Sequence, residues 1–180
     1  MSYKINSTTD YHRKEIVTLG WELTVCNTLH DKDSPARKIL QTNASYGEHL
    51  FAFLSQHINM SSIFRIFEVG GGYGFLMRDL LNHCSPQKIT MLDISPFLLA
   101  KQQEALDDFN VNYIDNDFLA CEDGVVADAE LMIFNENLGD FPTITNVSRD
   151  DIMIGHNIEA LAGAKRLTDA YALPLPTGSF

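Results

Sequence analysis

Glu68 stands just ahead of four glycines packed into five positions, in the stretch FEVGGGYGFL that spans residues 67–76. Glycine accepts left-handed backbone angles and lets the main chain approach a ligand without a Cβ in the way. The spacing limits what that ligand is. A dinucleotide-binding turn needs G-x-G-x-x-G, which from Gly70 and Gly72 would place the third glycine at position 75; Phe75 is there, and the glycine falls at Gly74. No Gly-Lys-Ser/Thr follows, so a phosphate-cradling loop is excluded too. An E-x-G-x-G-x-G turn remains, beside the plainer alternative that it only packs a helix on a sheet.

Further polar residues follow at intervals. Asp93 ends KITMLD, 19 residues after Gly74. In nucleotide folds an acid about 20 residues on accepts hydrogen bonds from the ribose hydroxyls. Capping the next helix is the alternative, but Ser95 and Pro96 already mark that start. Asp117 and Phe118 come in IDNDFL; taken alone, the pair is ordinary loop chemistry. Asn135 and Glu136 open NENLGDFP, where Glu136 either serves chemistry or caps a loop.

These residues need elements to hold them. The apolar, β-branched and aromatic runs at 63–69, 88–94, 111–114 and 129–134 predict four strands. Between them, GFLMRDLLNHC and SPFLLAKQQEALDDF predict helices. Strands alternating with helices at this spacing imply βαβ units and a parallel sheet, buried on both faces. In such sheets ligands bind beyond the C-terminal strand ends, where all the residues above lie. Upstream, residues 10–29 predict a helix with Ile16, Leu19, Leu23 and Cys26 on one face. Ser34 with Pro35 and Ser45 with Glu48 mark two more helix starts. Residues 1–60 thus read as a helical cap on a partial sheet domain over 61–180, in effect one domain. Trp21, Phe51 and Phe53 are expected in the core.

Composition excludes other classes. At 180 residues the chain supports one core, and 45% hydrophobic residues rule out disorder. With 24 acidic and 13 basic residues the net charge is -11, and no basic cluster offers a nucleic-acid footprint. No apolar run approaches membrane-span length. Cys26, Cys84 and Cys121 are odd in number and lack metal spacing, so they read as reduced thiols in a cytoplasmic protein.

Three motifs in order after three predicted strands resemble those of class I S-adenosylmethionine-dependent methyltransferases. The resemblance implies a Rossmann-like sheet of order 3-2-1-4-5-7-6. It implies S-adenosylmethionine as cofactor, held by Glu68, Gly70, Gly72, Tyr73, Gly74, Asp93, Ile94, Asp117, Phe118 and Asn135. Glu68 would hold the amino group of the methionine part, which the glycine turn wraps and Tyr73 covers. Asp93 would take the ribose, Asp117 the adenine amino group and Phe118 the ring. The stretch from Asn135 to Pro142 resembles the Asn-Glu-x-x-x-x-x-Pro segment of the MidA-like branch, whose members methylate protein arginine during assembly of mitochondrial complex I. SPFLLAKQQEAL and TNASYGEHLFAFL are similar to the same branch, over roughly residues 40–145 in all. It departs in carrying Asp93 where the branch has glutamate. Catalysis would then rest on Glu136 and Asn135, acting on a protein side chain or a small molecule.

One expectation runs against a complete enzyme. RDDIMIGHNIEALAGAKRLTDAYAL, opened by Ser148 and Asp151 and with Ile154, Ile158 and Leu161 on one face, reads as a helix. PLPTGSF is a poor strand. The sheet is therefore expected to stop after its fourth strand, leaving an open edge. Either the chain is the N-terminal part of a longer protein, or a second copy or a partner covers that edge. A non-catalytic cofactor-binding or assembly module is the competing expectation.

Overall fold

A computed structural model describes residues 4–6, 12–13, 24–141 and 143–145. Residues 8–141 form one compact unit, and residues 1–7 with 142–180 form another.

The first unit holds a four-stranded sheet built from β2 (Arg65–Val69), β3 (Lys88–Asp93), β4 (Val111–Asp115) and β5 (Leu131–Phe134). All its pairings are parallel, in the order β4-β3-β2-β5. This is the third-second-first-fourth order expected of a Rossmann-like sheet. The central strands are buried on both faces, as parallel strands between helices must be. Alternation then divides the core. Ile66, Ile89, Met91 and Ile133 pack with Leu76, Met77 and Leu80 on one side. Phe67, Val69 and Leu92 face the other side, where Phe118, Phe134 and Phe141 pack against them. Glu68 and Asp93 share the strand parity of the first side, so two carboxylates are carried inward with the aliphatic core.

Among the described residues this unit has five α-helices: α1 (Val25–His30), α2 (Pro35–Leu40), α3 (Tyr46–Leu54), α4 (Phe75–Leu81) and α5 (Pro96–Ala105). Their starts fall where local chemistry puts them. Ser34 caps α2 with Pro35 in its first turn, and Ser95 and Pro96 do the same for α5. Ser45 and Glu48 close a full capping box on α3. Gly47 is needed for the approach of α3 to α4, because a Cβ there would lie 2.5 Å from that of Asp79.

The other unit contains β1 (Lys4–Asn6) paired antiparallel with β6 (Thr143–Thr145). Neither three-residue strand was anticipated, since segments that short carry no readable alternation. Of the helix expected over 10–29, residues 12–13 and 24–29 are described: His12 is helical, Arg13 lies in a turn, and α1 begins at Val25 behind its cap Thr24. Trp21 and the helix expected after Ser148 lie outside the described residues. Phe53 is a correction: it is 57% exposed, with the edge of its ring on His57. It stands near the end of α3, past the turn that packs on α4.

Candidate active site

Glu68, next to last in β2, is 1% exposed, and its Oε2 makes no hydrogen bond. Burial, with the nearby charge of Asp93 adding to it, raises its pKa to about 8. The glycine turn begins two residues on. Gly70, Gly72 and Gly74 take φ values of +63°, +56° and +82°, angles that a side chain resists. Gly71 is required for a different reason. A Cβ there would meet the Met91 methyl at 2.4 Å and the Glu68 carboxyl carbon at 3.1 Å. Tyr73 touches Phe75 edge-on at 6.0 Å between ring centroids.

Asp93 closes β3 and is 3% exposed. Its carboxylate accepts from the Ser95 amide at 2.9 Å and from the Gln102 side chain at 2.8 Å. Burial raises its pKa to about 6, with those hydrogen bonds pulling the other way. Gln102 is fully buried on α5 and also donates to the Gly72 carbonyl at 3.1 Å. One side chain thus joins the glycine turn to the second acid, while its Oε1 stays without a partner. Ile94 follows Asp93 half-buried. The Asn116 amide donates to the Asp93 carbonyl at 3.2 Å, bringing the loop with Asp117 alongside. Asp117 accepts from the Leu119 amide at 2.9 Å, and the Phe118 ring packs edge-on against Phe134 at 5.0 Å. These two therefore serve the local turn and the aromatic core.

Beyond β5, Asn135 accepts from the Tyr46 hydroxyl at 2.9 Å and lies 3.5 Å from the Cys26 sulfur. Glu136 is exposed, takes a φ of +57° and accepts from the Val25 amide at 3.2 Å, at the first turn of α1. The loop after β5 is thereby bonded to the start of α1. Burial, with Glu68, Glu136 and Asp79 nearby, drives the Cys26 thiol up to about 12 and makes it a poor nucleophile. Asn137 donates to the Val69 carbonyl, and its Oδ1 makes no hydrogen bond.

The sequence pointed to the acids and the glycines but not to Gln102, Asn137 or Tyr46, which the structure sets beside them. Gln102 sat inside a predicted helix, and no spacing rule marks a glutamine there as a bridge. Among the described residues, no cluster of His, Cys, Asp or Glu is arranged to hold a metal, and no helix is long and apolar enough to cross a membrane.

Among the described residues, the buried side-chain oxygens left without donors are Glu68 Oε2, Gln102 Oε1 and Asn137 Oδ1, all beside the glycine turn. Gln102 Oε1 and Asn137 Oδ1 are hydrogen-bond acceptors, and Glu68 Oε2 is one once its carboxyl is ionised. They fit a ligand that brings donors, such as an ammonium group and ribose hydroxyls.

The profile of a family described as "Putative S-adenosyl-L-methionine-dependent methyltransferase" matches residues 47–160. No curated protein matches the chain. Among solved structures it is similar to the 23S rRNA methyltransferase ErmE, with 25% identity and a TM-score of 0.34 over 41% of this chain and 30% of that one. A protein from Burkholderia thailandensis bound to S-adenosyl-homocysteine is 24% identical, with a TM-score of 0.33 over 39% and 21% of the two chains. The N-methyltransferase NodS from Bradyrhizobium japonicum WM9, in complex with S-adenosyl-L-homocysteine, is 16% identical, with a TM-score of 0.35 over 53% and 46%. The matched part is less than half the length of each of these structures.

Proposed function

The chain belongs to the S-adenosyl-L-methionine-dependent methyltransferase family, and from that premise we propose that it moves the cofactor's methyl group to a nitrogen of a protein side chain or small molecule, with arginine as the first acceptor to test. The observation that carries the cofactor half is the set of three buried oxygens without donors beside the glycine turn. In this reading Glu68 faces the amino group of the methionine part and the turn from Gly70 to Gly74 wraps it, under Tyr73. Asp93 and Ile94 take the ribose side, and Asp117 and Phe118 the adenine.

The cofactor supplies an activated methyl. When bound it would offer that methyl to the acceptor nitrogen's lone pair, the electrons of the carbon–sulfur bond leaving with sulfur. Such a displacement asks the protein for alignment and exclusion of water. Glu136 is exposed at the loop after β5, where its carboxylate can orient a guanidinium through paired hydrogen bonds and take up the proton released. Asn135 steadies the same group. The arginine acceptor rests on the likeness of Asn135 to Pro142 to the MidA-like segment.

A second reading is a cofactor-binding module that acts by assembly. It is favoured by β5 forming an edge of the sheet among the described residues, open to a second copy or another partner. The three free thiols suit a cytoplasmic setting in either case.

Calorimetric titration with S-adenosylmethionine tests what both readings share, and no binding by the folded chain overturns both. Methyl transfer to arginine-containing peptides, read alongside size-exclusion chromatography, then separates them.

A further inference from the structure

Asn135 and Asn137 stand two residues apart and have different partners. Asn135 meets Tyr46 and Cys26, while Asn137 bonds to Val69 at the end of β2. Between them Glu136 takes a left-handed angle, which non-glycine residues resist. Strain kept at such a point is a signature of functional loops.

The Asn137 amide has a defined orientation. Only its NH₂ group can donate to the Val69 carbonyl, so Oδ1 is the free end, and that oxygen is buried with no donor. A buried acceptor left unpaired destabilises the fold. The side chain lies directly on the glycine turn: a Cβ on Gly70 would come within 2.6 Å of Nδ2 and 3.4 Å of Asn137 Cβ and Cγ. Glu68, with its own unpaired Oε2, is two residues before Gly70.

An ammonium group carries three donors and no acceptor, so it can satisfy a carboxylate oxygen and an amide oxygen at once. A ribose hydroxyl has one donor, and Asp93 on β3 is the acid that suits it.

Resting on the methyltransferase reading, we propose that Asn137 binds the cofactor, its Oδ1 accepting a hydrogen bond from the ammonium of the methionine part and so tying cofactor occupancy to the loop that carries Asn135 and Glu136. By itself the loop has an unpaired acceptor and a strained residue. Occupancy supplies the missing donor and holds the acceptor side in place before a methyl acceptor arrives.

The test compares two probes on the full chain by calorimetry: S-adenosylhomocysteine, which has the ammonium, and 5′-methylthioadenosine, which lacks the amino-acid part. Asn137→Ala is expected to weaken S-adenosylhomocysteine by about tenfold or more, the loss of one charge-assisted hydrogen bond, while 5′-methylthioadenosine changes less than about twofold. Equal losses for both probes, or no loss for either, overturn the proposal. Hydrogen exchange on the unaltered chain gives a second reading that needs no variant. Amides of residues 135–138 should slow with S-adenosylhomocysteine and not with saturating 5′-methylthioadenosine, and equal slowing by both counts against it. If the unaltered chain binds neither probe, the methyltransferase reading itself falls; if it binds both and Asn137→Ala spares both, this inference alone does.

Discussion

Gln102 donates a 2.8 Å hydrogen bond to Asp93, its buried neighbour across the join of β3 and α5. The same nitrogen holds the Gly72 carbonyl, so one amide couples the turn to the acid. Gln102→Leu keeps the bulk and strands both acceptors. The expected loss is about 2 kcal/mol of stability, read from urea midpoints, together with weaker S-adenosylhomocysteine binding. Unchanged midpoints would mean that the bridge contributes nothing net.

Glu68 and Asp93 make the ligand-free chain pH-sensitive. Both pKa values are raised by folding, from 4.5 to about 8 and from 3.8 to about 6. The fold then binds more protons than the unfolded chain between those limits. The contribution of these two groups to stability is therefore fully present below about pH 4 and is lost as pH rises through about 6 for Asp93 and about 8 for Glu68. Glu68→Gln should flatten that decline and stabilise the empty chain at pH 9, while weakening cofactor binding. Denaturant titrations at pH 5, 7 and 9 check the first part and calorimetry the second.

Two alanine substitutions separate strain from contact. Gly72→Ala meets nothing within 4 Å and bears only the left-handed penalty, about 1 kcal/mol. Gly70→Ala bears the same penalty and also collides with Asn137. Thermal melting should rank Gly70→Ala clearly below Gly72→Ala, and equal losses would contradict the close approach.

Glu136→Gln keeps an oxygen for the Val25 amide but removes the charge. Cofactor affinity should stay within about twofold, while transfer to an arginine peptide falls by about 100-fold or more, the scale of a general base. Full turnover in this variant would leave Glu136 as a cap for α1 and nothing else.

Arg37 is 6% exposed and clamps the end of α1, reaching the Leu29 carbonyl at 2.8 and 2.6 Å and the Asn43 carbonyl at 2.5 Å. A lysine has one ammonium where the guanidinium has a planar fork. Arg37→Lys should cost about 2 kcal/mol by denaturant midpoint. Because α1 also holds Glu136, transfer activity should drop further than cofactor binding does.

Glycine angles, helix caps and strand runs are local properties, and they were legible in the sequence. Ser34, Ser45 and Ser95 announce their helices because a cap and its amides lie within three residues of each other. The E-x-G-x-G-x-G spacing and the positions of Glu68 and Asp93 at strand ends are of the same kind, each set by neighbours along the chain, whereas the order of the strands in the sheet was expected only from the family resemblance. The bond from Gln102 to Gly72 crosses 30 residues, that from Asn137 to Val69 crosses 68, and that from Tyr46 to Asn135 crosses 89. Only packing creates those pairs. A side-chain amide has no periodicity of its own, and what it does depends on which distant carbonyl the sheet sets beside it.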